Sequence, residues 1–400
     1  MKILFLSAWF PYPADNGSRI RVFNLVKALS RRHEVTLVSF TREPMTDGRL
    51  AEMRAYCNEV YAVAYREFNP TRLKALTGFL SPRPRYLVDS YSAEMETLVG
   101  RVSRDMTFDV VIASQMGVAL YALALDRVPR VFEEVELGVF HEEFVAQDNL
   151  FLKARYGLTW WKLSRFLARL LPQFEACTVV SEPERELIAE TVPGYTALHV
   201  VPNGVDLEAN SGDFGAPEPD TLIYTGALTY HANFDAMDLF LCEIFPLVKA
   251  ERPHVRLRIT GGYDGVPVER LPLGDGVELT GYLSDIRPAV SRSWACVVPL
   301  RVGGGTRLKI LEAMALGTPV VSTTKGADGL GVKPGENILI ADTPEAFARA
   351  ILRLLDAPDL RTRLAAQGRR LVESTYGWES IGQRLDDLVR EVVDSGRGRS

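Results

Sequence analysis

Two successive series of short, β-branched apolar runs, each interleaved with helical segments, constrain this chain more than any other feature. The first series reads "KILFLSA", "EVTLVSF", "EVYAV", "FDVVIAS", "RVFEEV" and "CTVVS". Between its first two runs lies "RIRVFNLVKALSRR", in which Val22, Leu25, Val26 and Leu29 share one helical face. Unbroken runs of this kind belong to a parallel sheet covered by helices on both faces. "HVVPNGVD" ends the series in a turn, and "NSGDFGAPEPD" is a Gly/Pro/Asp-rich connector. The pattern then restarts with "TLIYTGA", "RLRITGG", "VELTGY", "CVVPL" and "PVVST". The chain therefore reads as two doubly wound α/β domains, residues 1–203 and 204–377, hinged near 200–220. A last helix, expected over 378–394 after the Gly377 break, returns to the first domain. Ligands of such sheets sit at the carboxyl ends of the strands, so the cleft between two facing domains is the expected site.

Composition agrees with two domains, because the 400 residues exceed the ~250–300 at which a single core stops growing. The 46 basic and 51 acidic residues give a net charge of −5, without the basic surplus of a nucleic-acid binder. Cys57, Cys177, Cys242 and Cys296 are far apart and form no CxxC. Together with five scattered histidines and no HExxH, they offer no zinc site and fit a reducing cytoplasm. The opening "MKILFLSAWFPYP" is cut by Pro11 and Pro13 and lacks a small-residue cleavage site, so it reads as a buried first strand rather than a signal peptide. No stretch approaches the ~20 apolar residues that span a bilayer, which leaves a soluble protein or one lying on a membrane surface.

The segment "PLRVGGGTRLKILEAMALGTPVV" sets three glycines and two cations ahead of a helix beginning near Thr306 and running to Gly317. Free N–H groups and the helix dipole make such a terminus suited to an anion, and glycine lets a phosphate approach the backbone. It is not a Walker A loop, since Thr306 and Arg307 follow Gly305. It is not a GxGxxG fingerprint either, since position 308 is Leu. A plain surface turn is the alternative, but Thr306, Arg307 and Lys309 add donors that such a turn does not need. Glu312 lies six residues past Thr306, about 9 Å along a helix. A diphosphate at the loop and a ribose diol at Glu312 would suit one nucleotide. The competing reading of Glu312 is an i,i+3 pair with Lys309.

The run Val297–Val321, with "TGYLSD" before it and "STTKGADGL" after it, closely resembles the donor site of retaining GT-B glycosyltransferases of the group 1 class. "PYPADNGSRIRVFNLVKALSRRHEVTLVSF", "TVVSEPERELI", "VVPNGVD" and "YGWESIGQRLDDLV" resemble other parts of that family, so the likeness covers nearly the whole chain. The resemblance implies a GT-B fold and a nucleoside-diphosphate sugar as donor. It places the ribose-holding second Glu of the E-x7-E motif on Glu312, while Gly304 stands where the first Glu would fall, which marks a "GGGTRLK" subgroup. Gly303, Gly304, Gly305 and Thr306 then form the phosphate loop, with Arg307 and Lys309 as its cations. The family's Arg/Lys after the first strand of the second domain is missing, and His231 and Asn233 stand there instead. Tyr282 and Leu283 fall on the base-contacting loop, with core packing as the alternative for both. In the first domain Gly17, preceded by Asn16, matches the glycine loop facing the phosphates. Arg19 and Arg21 either reach the cleft or lie on a solvated helix face. The family's His-Asp pair falls on Val135 and Glu136, which makes Glu136 the candidate acceptor-side carboxylate, with Glu133 and Glu134 as alternatives.

What the resemblance implies chemically is retaining transfer by front-face attack, in which the leaving phosphate helps deprotonate the acceptor hydroxyl. Catalysis then rests on positioning and on neutralising the departing diphosphate. No Asp-x-Asp motif is present, so neither a metal nor a further cofactor is expected. The acceptor is a glycan, a lipid-linked saccharide or a small molecule. A nucleotide-sugar epimerase or hydrolase, and a catalytically weak carbohydrate-assembly protein, are the competing classes. Residues 151–174, "FLKARYGLTWWKLSRFLARLLPQF", are basic and rich in Trp, Phe and Leu. They read either as an interfacial helix presenting a lipid-linked acceptor, which would make the protein peripheral at the inner face of the membrane, or as an amphipathic helix capping the first domain.

Overall fold

Ile3, Leu4, Phe5 and Leu6 are buried on both faces of strand β1 (Lys2–Ser7), as the apolar opening of the sequence requires. The computed structural model describes residues 1–147, 149–303 and 305–397. The backbone divides into two units, Met1–Asn203 with the segment from Trp378 onward, and Gly204–Gly377. Among the described residues no helix is long and apolar enough to cross a membrane.

In the first unit β1 is joined by β2 (Glu34–Thr41), β3 (Glu59–Ala64), β4 (Val110–Ser114), β5 (Arg130–Glu133), β6 (Ala176–Val179) and β7 (Leu198–Val200). All pairings are parallel, in the order β3-β2-β1-β4-β5-β6-β7. The order reverses between β1 and β4, where Ser7 pairs with Ser114 at the carboxyl ends. Helix Gly17–Ser30 covers one face and buries Val22, Leu25, Val26 and Leu29, the stripe expected from its spacing. The terminal helix, Trp378–Arg397, packs on the same side through Ile381, Leu385, Leu388, Val389, Val392 and Val393. Each such fully buried aliphatic side chain contributes about 1.5–3 kcal/mol. The approach is close: a Cβ on Gly382 would stand 2.2 Å from the Ala28 Cβ.

The second unit holds β8 (Glu218–Thr225), β9 (Arg256–Thr260), β10 (Val277–Gly281), β11 (Ser293–Val298), β12 (Val320–Ser322) and β13 (Leu339–Ile340). These too are parallel, in the order β10-β9-β8-β11-β12-β13. Both sheets therefore reverse beside their first strand, the arrangement that opens a ligand crevice at the strand ends. The two-residue β13 carries too little periodicity to be read from sequence.

Two expectations need correction here. Arg19 and Arg21 are neither solvated nor free for a ligand. Arg19 Nη1 lies 3.0 Å from Asp15 Oδ1 and its Nη2 lies 2.7 Å from Glu43 Oε1. Arg21 is completely buried. It donates to Glu133 Oε1 and to the Val201 and Pro202 carbonyls, tying the helix to the segment after β7. An arginine at every second position of a helix start looks solvated in sequence, and only the tertiary partners reveal otherwise.

Candidate functional site

At the reversal of the second sheet, β8 ends in Tyr224 and Thr225, and Gly226 follows with φ +143°. A Cβ on Gly261, which follows β9, would lie 2.6 Å from the Ala227 nitrogen, so the two turns touch backbone to backbone and only glycine fits. Tyr224 is wholly buried, yet its hydroxyl is well used. It donates to Asn233 Oδ1 at 2.7 Å and accepts from Lys309 Nζ at 2.9 Å. Lys309 also donates to Asn233 Oδ1 at 3.0 Å, and its Nζ sits 4.1 Å from the Tyr224 ring centroid. Asn233 Nδ2 is fixed on the Ala227 carbonyl. A Cβ on Gly226 would stand 2.8 Å from Asn233 Nδ2 and 2.9 Å from Lys309 Nζ, so the glycine leaves this polar group uncovered by a side chain.

The helix that carries Lys309 spans Leu308–Ala315, a turn shorter than expected from Thr306 to Gly317. Gly303 at φ +101° and Gly305 at φ +79° bend the backbone, and Arg307 (φ −81°, ψ 69°) still lies outside the helix. Lys309 is therefore the second helical residue, and its side chain leans back toward β8. Burial, aided by the nearby Arg307 charge, pushes its ammonium down to about 7; Cys296 and Glu312 act in the opposite sense. The Glu312 carboxyl is raised, first by burial, with Lys309 opposing. Arg307 is buried and its Nη2 donates to the Gly303 carbonyl, holding the loop. A Cβ on Gly303 would meet Tyr230 Oη at 3.1 Å, and Arg301 bridges to Asp235 at 2.6 Å, so the loop rests on the start of helix His231–Leu239.

In the first unit the reversal lies beside a second polar group. Glu133, at the end of β5, is completely buried; it pairs with Arg21 at 2.6 Å and accepts from Ser114 Oγ at 2.6 Å. The residues just after β4 and β5 are Gln115 and Glu134, both in the left-handed region at φ 74° and 58°. Non-glycine residues seldom occupy it, at a cost of about 1–3 kcal/mol each. Gln115 Nε2 donates to Glu134 Oε2 at 2.7 Å. Burial, with the neighbouring Glu133 and Glu136 charges, pushes the Glu134 carboxyl up to about 8 against the pull of Arg21 and Gln115. Glu136 is exposed. Among the described residues no cluster of three His, Cys, Asp or Glu side chains is placed to hold a metal ion.

Comparison with known proteins turns this geometry into a family. Residues 219–357 match the family model described as glycosyl transferases group 1, and residues 15–209 match glycosyltransferase family 4. Glycosyltransferase 1 domain-containing protein 1 of Xenopus tropicalis is 30% identical over 58% of this chain and 72% of its own length. The chain belongs to the glycosyl transferases group 1 family. It is a glycosyltransferase. The GDP-mannose-dependent monoacylated alpha-(1-6)-phosphatidylinositol monomannoside mannosyltransferase of Corynebacterium glutamicum is 28% identical over 38% of this chain and 42% of its own. Among solved structures, sucrose-phosphate synthase of Thermosynechococcus elongatus superposes with a TM-score of 0.69 at 19% identity, covering 99% of this chain and 100% of that one. That likeness establishes the GT-B fold.

Within the group 1 framework, the structure brings Lys309, Asn233 and Glu312 to one end of the second sheet, with Arg307 in the adjoining loop. Lys309 Nζ reaches the end of β8, the strand after which the expected Arg/Lys is missing, from the other side of the reversal. Lys309 is engaged by Tyr224 and Asn233 rather than by an i,i+3 ion pair with Glu312. Tyr282 is 81% exposed, so core packing does not explain it; Leu283 beside it is half-buried. Gly17 opens its helix in an exposed position, next to the Asn16 side chain that accepts from the Arg19 N–H. Gly304 lies outside the described residues. Thr306 is half-buried beside Arg307. Sequence reasoning passed over Tyr224 and Gln115. A tyrosine inside the otherwise aliphatic run "TLIYTGA" and a glutamine directly after "VVIAS" were the available signals.

Proposed function

We propose that this chain transfers a sugar from a nucleoside-diphosphate sugar held by its second unit to a saccharide or lipid-linked acceptor, with retention and without a metal. The observation that carries the proposal is the buried Lys309–Tyr224–Asn233 group beside the bare Gly226, with Glu312 one turn further along the Lys309 helix. In this reading Lys309, the Gly303–Gly305 turn and Thr306 meet the diphosphate, Arg307 holds that turn in shape, and Glu312 accepts the ribose hydroxyls. Tyr282 and Leu283 flank the base. The C1–O bond to the diphosphate breaks as the acceptor oxygen bonds to C1 on the same face. The acceptor proton passes to the leaving phosphate oxygen. Positive charge beside that oxygen gains most as the bond breaks, so it lowers the barrier more than it tightens ground-state binding. Glu134, the better-held carboxyl, takes the acceptor-side role first assigned to Glu136.

The test is incubation with a panel of nucleotide sugars, with and without saccharide acceptors, in EDTA. Nucleoside diphosphate released only with acceptor, and a product whose anomeric configuration matches the donor by NMR, is the expected result. Release without acceptor marks a hydrolase, and a changed sugar still attached to its nucleotide marks an epimerase. Activity restored only by a divalent cation refutes metal independence, and an inverted product refutes retention.

A further inference from the structure

Two segments far apart in sequence meet on the surface of the first unit. One is residues 68–88, which contain Arg72, Lys74, Arg83 and Arg85 and no acidic residue. The other is residues 149–174, which contain Lys153, Arg155, Lys162, Arg165 and Arg169 and again no acidic residue. They are fastened together by Lys162, whose buried ammonium donates to the carbonyls of Gly78 at 3.2 Å, Phe79 at 2.5 Å and Ser81 at 3.1 Å. Arg72 is paired with the buried Asp89 at 2.9 Å and Lys162 is engaged by those carbonyls, which leaves seven cations and no carboxylate in the two joined segments, a local reversal of sign in a chain with net charge −5.

The same surface is apolar where solvent would favour polar side chains. In the first segment Leu80 is 93% and Leu73 77% exposed, with Leu76 and Phe79 also open to solvent. The second segment forms helix Leu150–Leu170, whose far half buries Leu163, Phe166, Leu167 and Leu170 in the core of the unit. That half is the domain-capping helix of one sequence reading. Its other side carries Phe151, Arg155, Leu158, Trp161 and Arg165, spaced three or four residues apart and all exposed. This spacing makes one stripe. Arg165 lies over Trp161 at 5.0 Å and Arg85 over Phe79 at 3.8 Å, so guanidinium groups flank the aromatic rings. Exposed leucines, interfacial tryptophan and flanking cations are the chemistry of a helix lying in a lipid headgroup layer.

We infer that the surface formed by residues 72–81 and the exposed stripe of helix Leu150–Leu170 docks on an anionic phospholipid bilayer. The cations select the negatively charged headgroups, and Leu73, Leu76, Leu80 and Trp161 enter the acyl boundary. A protein partner of ordinary mixed charge would leave the cations unmatched, which is why lipid is the occupant chosen. The inference stands apart from the transferase reading, because docking requires neither donor nor acceptor.

The experiment is co-sedimentation of the full chain with phosphatidylcholine vesicles with and without phosphatidylglycerol, at low and high salt. The expected result is pelleting with anionic vesicles only, weakened by salt, with a blue shift of tryptophan emission. Leu76→Glu with Leu80→Glu, and separately Arg155→Glu with Arg165→Glu, should each lower the partition coefficient about tenfold or more. Both pairs should keep the circular dichroism spectrum and wild-type transfer to a short water-soluble acceptor. A wild-type chain that stays in the supernatant at low salt overturns the inference. So do variants that pellet like the wild type, or light scattering that shows the patch joining two copies of the chain. Vesicle binding by a chain that transfers no sugar would refute only the transferase reading.

Discussion

Lys309 offers the most quantitative test of how the donor is held. Its ammonium is pushed down to about 7, its hydrogen bonds go to two neutral oxygens, and among the described residues no carboxylate lies within ion-pair distance. A diphosphate arriving beside it supplies the missing negative charge and keeps the bound ammonium protonated across this range. Affinity then follows the fraction of free enzyme already protonated. That fraction is about 0.9 at pH 6, one half at pH 7 and about 0.01 at pH 9, so affinity falls about 50-fold from pH 7 to pH 9. The ligand should be an intact nucleotide sugar, whose phosphates carry no proton that titrates in this range. Calorimetry in buffers of different ionisation enthalpy should find proton uptake of about 0.1 at pH 6 rising to about 0.9 at pH 8. Lys309→Met should bind weakly at pH 6 with a flat profile. Folding stability must move in the opposite direction. The folded value lies below the unfolded one, about 10.4, so between about 7 and 10.4 the unfolded chain binds more protons. The Lys309 contribution therefore grows as pH rises through that window and is lost as pH falls through about 7. PH-independent affinity without proton uptake in the wild type would refute the reasoning, as would an unchanged profile in the methionine variant.

Other perturbations separate the remaining roles. Glu312→Gln should weaken nucleotide affinity by about 1–3 kcal/mol, the value of hydrogen bonds to a charged acceptor, and an unchanged titration curve removes its ribose assignment. Arg307→Ala should slow turnover by about 10²–10³ with a smaller change in donor affinity, because the loop it braces loses its preorganised shape; wild-type turnover in a folded variant counts against this. For Glu134→Gln, turnover with acceptor should drop while nucleoside diphosphate affinity stays constant, and Glu136→Ala should have the lesser effect; the reverse ranking restores Glu136. Arg21→Met leaves Glu133 buried without its partner and should cost about 3–5 kcal/mol in urea denaturation, with less than about 1 kcal/mol contradicting the pairing.

The two sheets were legible because their strands are buried on both faces, so apolar runs such as Ile3–Leu6 repeat without interruption. Element ends were less legible. Strand β5 stops at Glu133 because Glu134 turns left-handed, a conformation held by Gln115 just after β4 and Thr178 on β6 and invisible in "RVFEEV". The shortened helix at Leu308 likewise depends on Arg307 turning back to the Gly303 carbonyl. Glycines and cations near a strand end were the sequence's pointer to the candidate site of the second unit. The partners that set its chemistry, Tyr224 above all, lie 85 residues away from Lys309. Arg21 shows the same limit, since the carbonyls it binds are 180 residues further along the chain.

The terminal helix also bears on the order in which the protein can be made. Ile381, Leu385 and Val389 complete a core whose other members, among them Ile3, Phe5, Val22 and Leu25, are made before Gly204. Everything from Gly204 to Gly377 is produced in between and has its own core. On the ribosome, therefore, the second-made unit can close first, while the first-made unit waits with an apolar face uncovered until helix Trp378–Arg397 has been made. At about 5–20 residues per second, the intervening 174 residues, 204 to 377, leave that face open for roughly 9–35 s, long enough for a chaperone to find it.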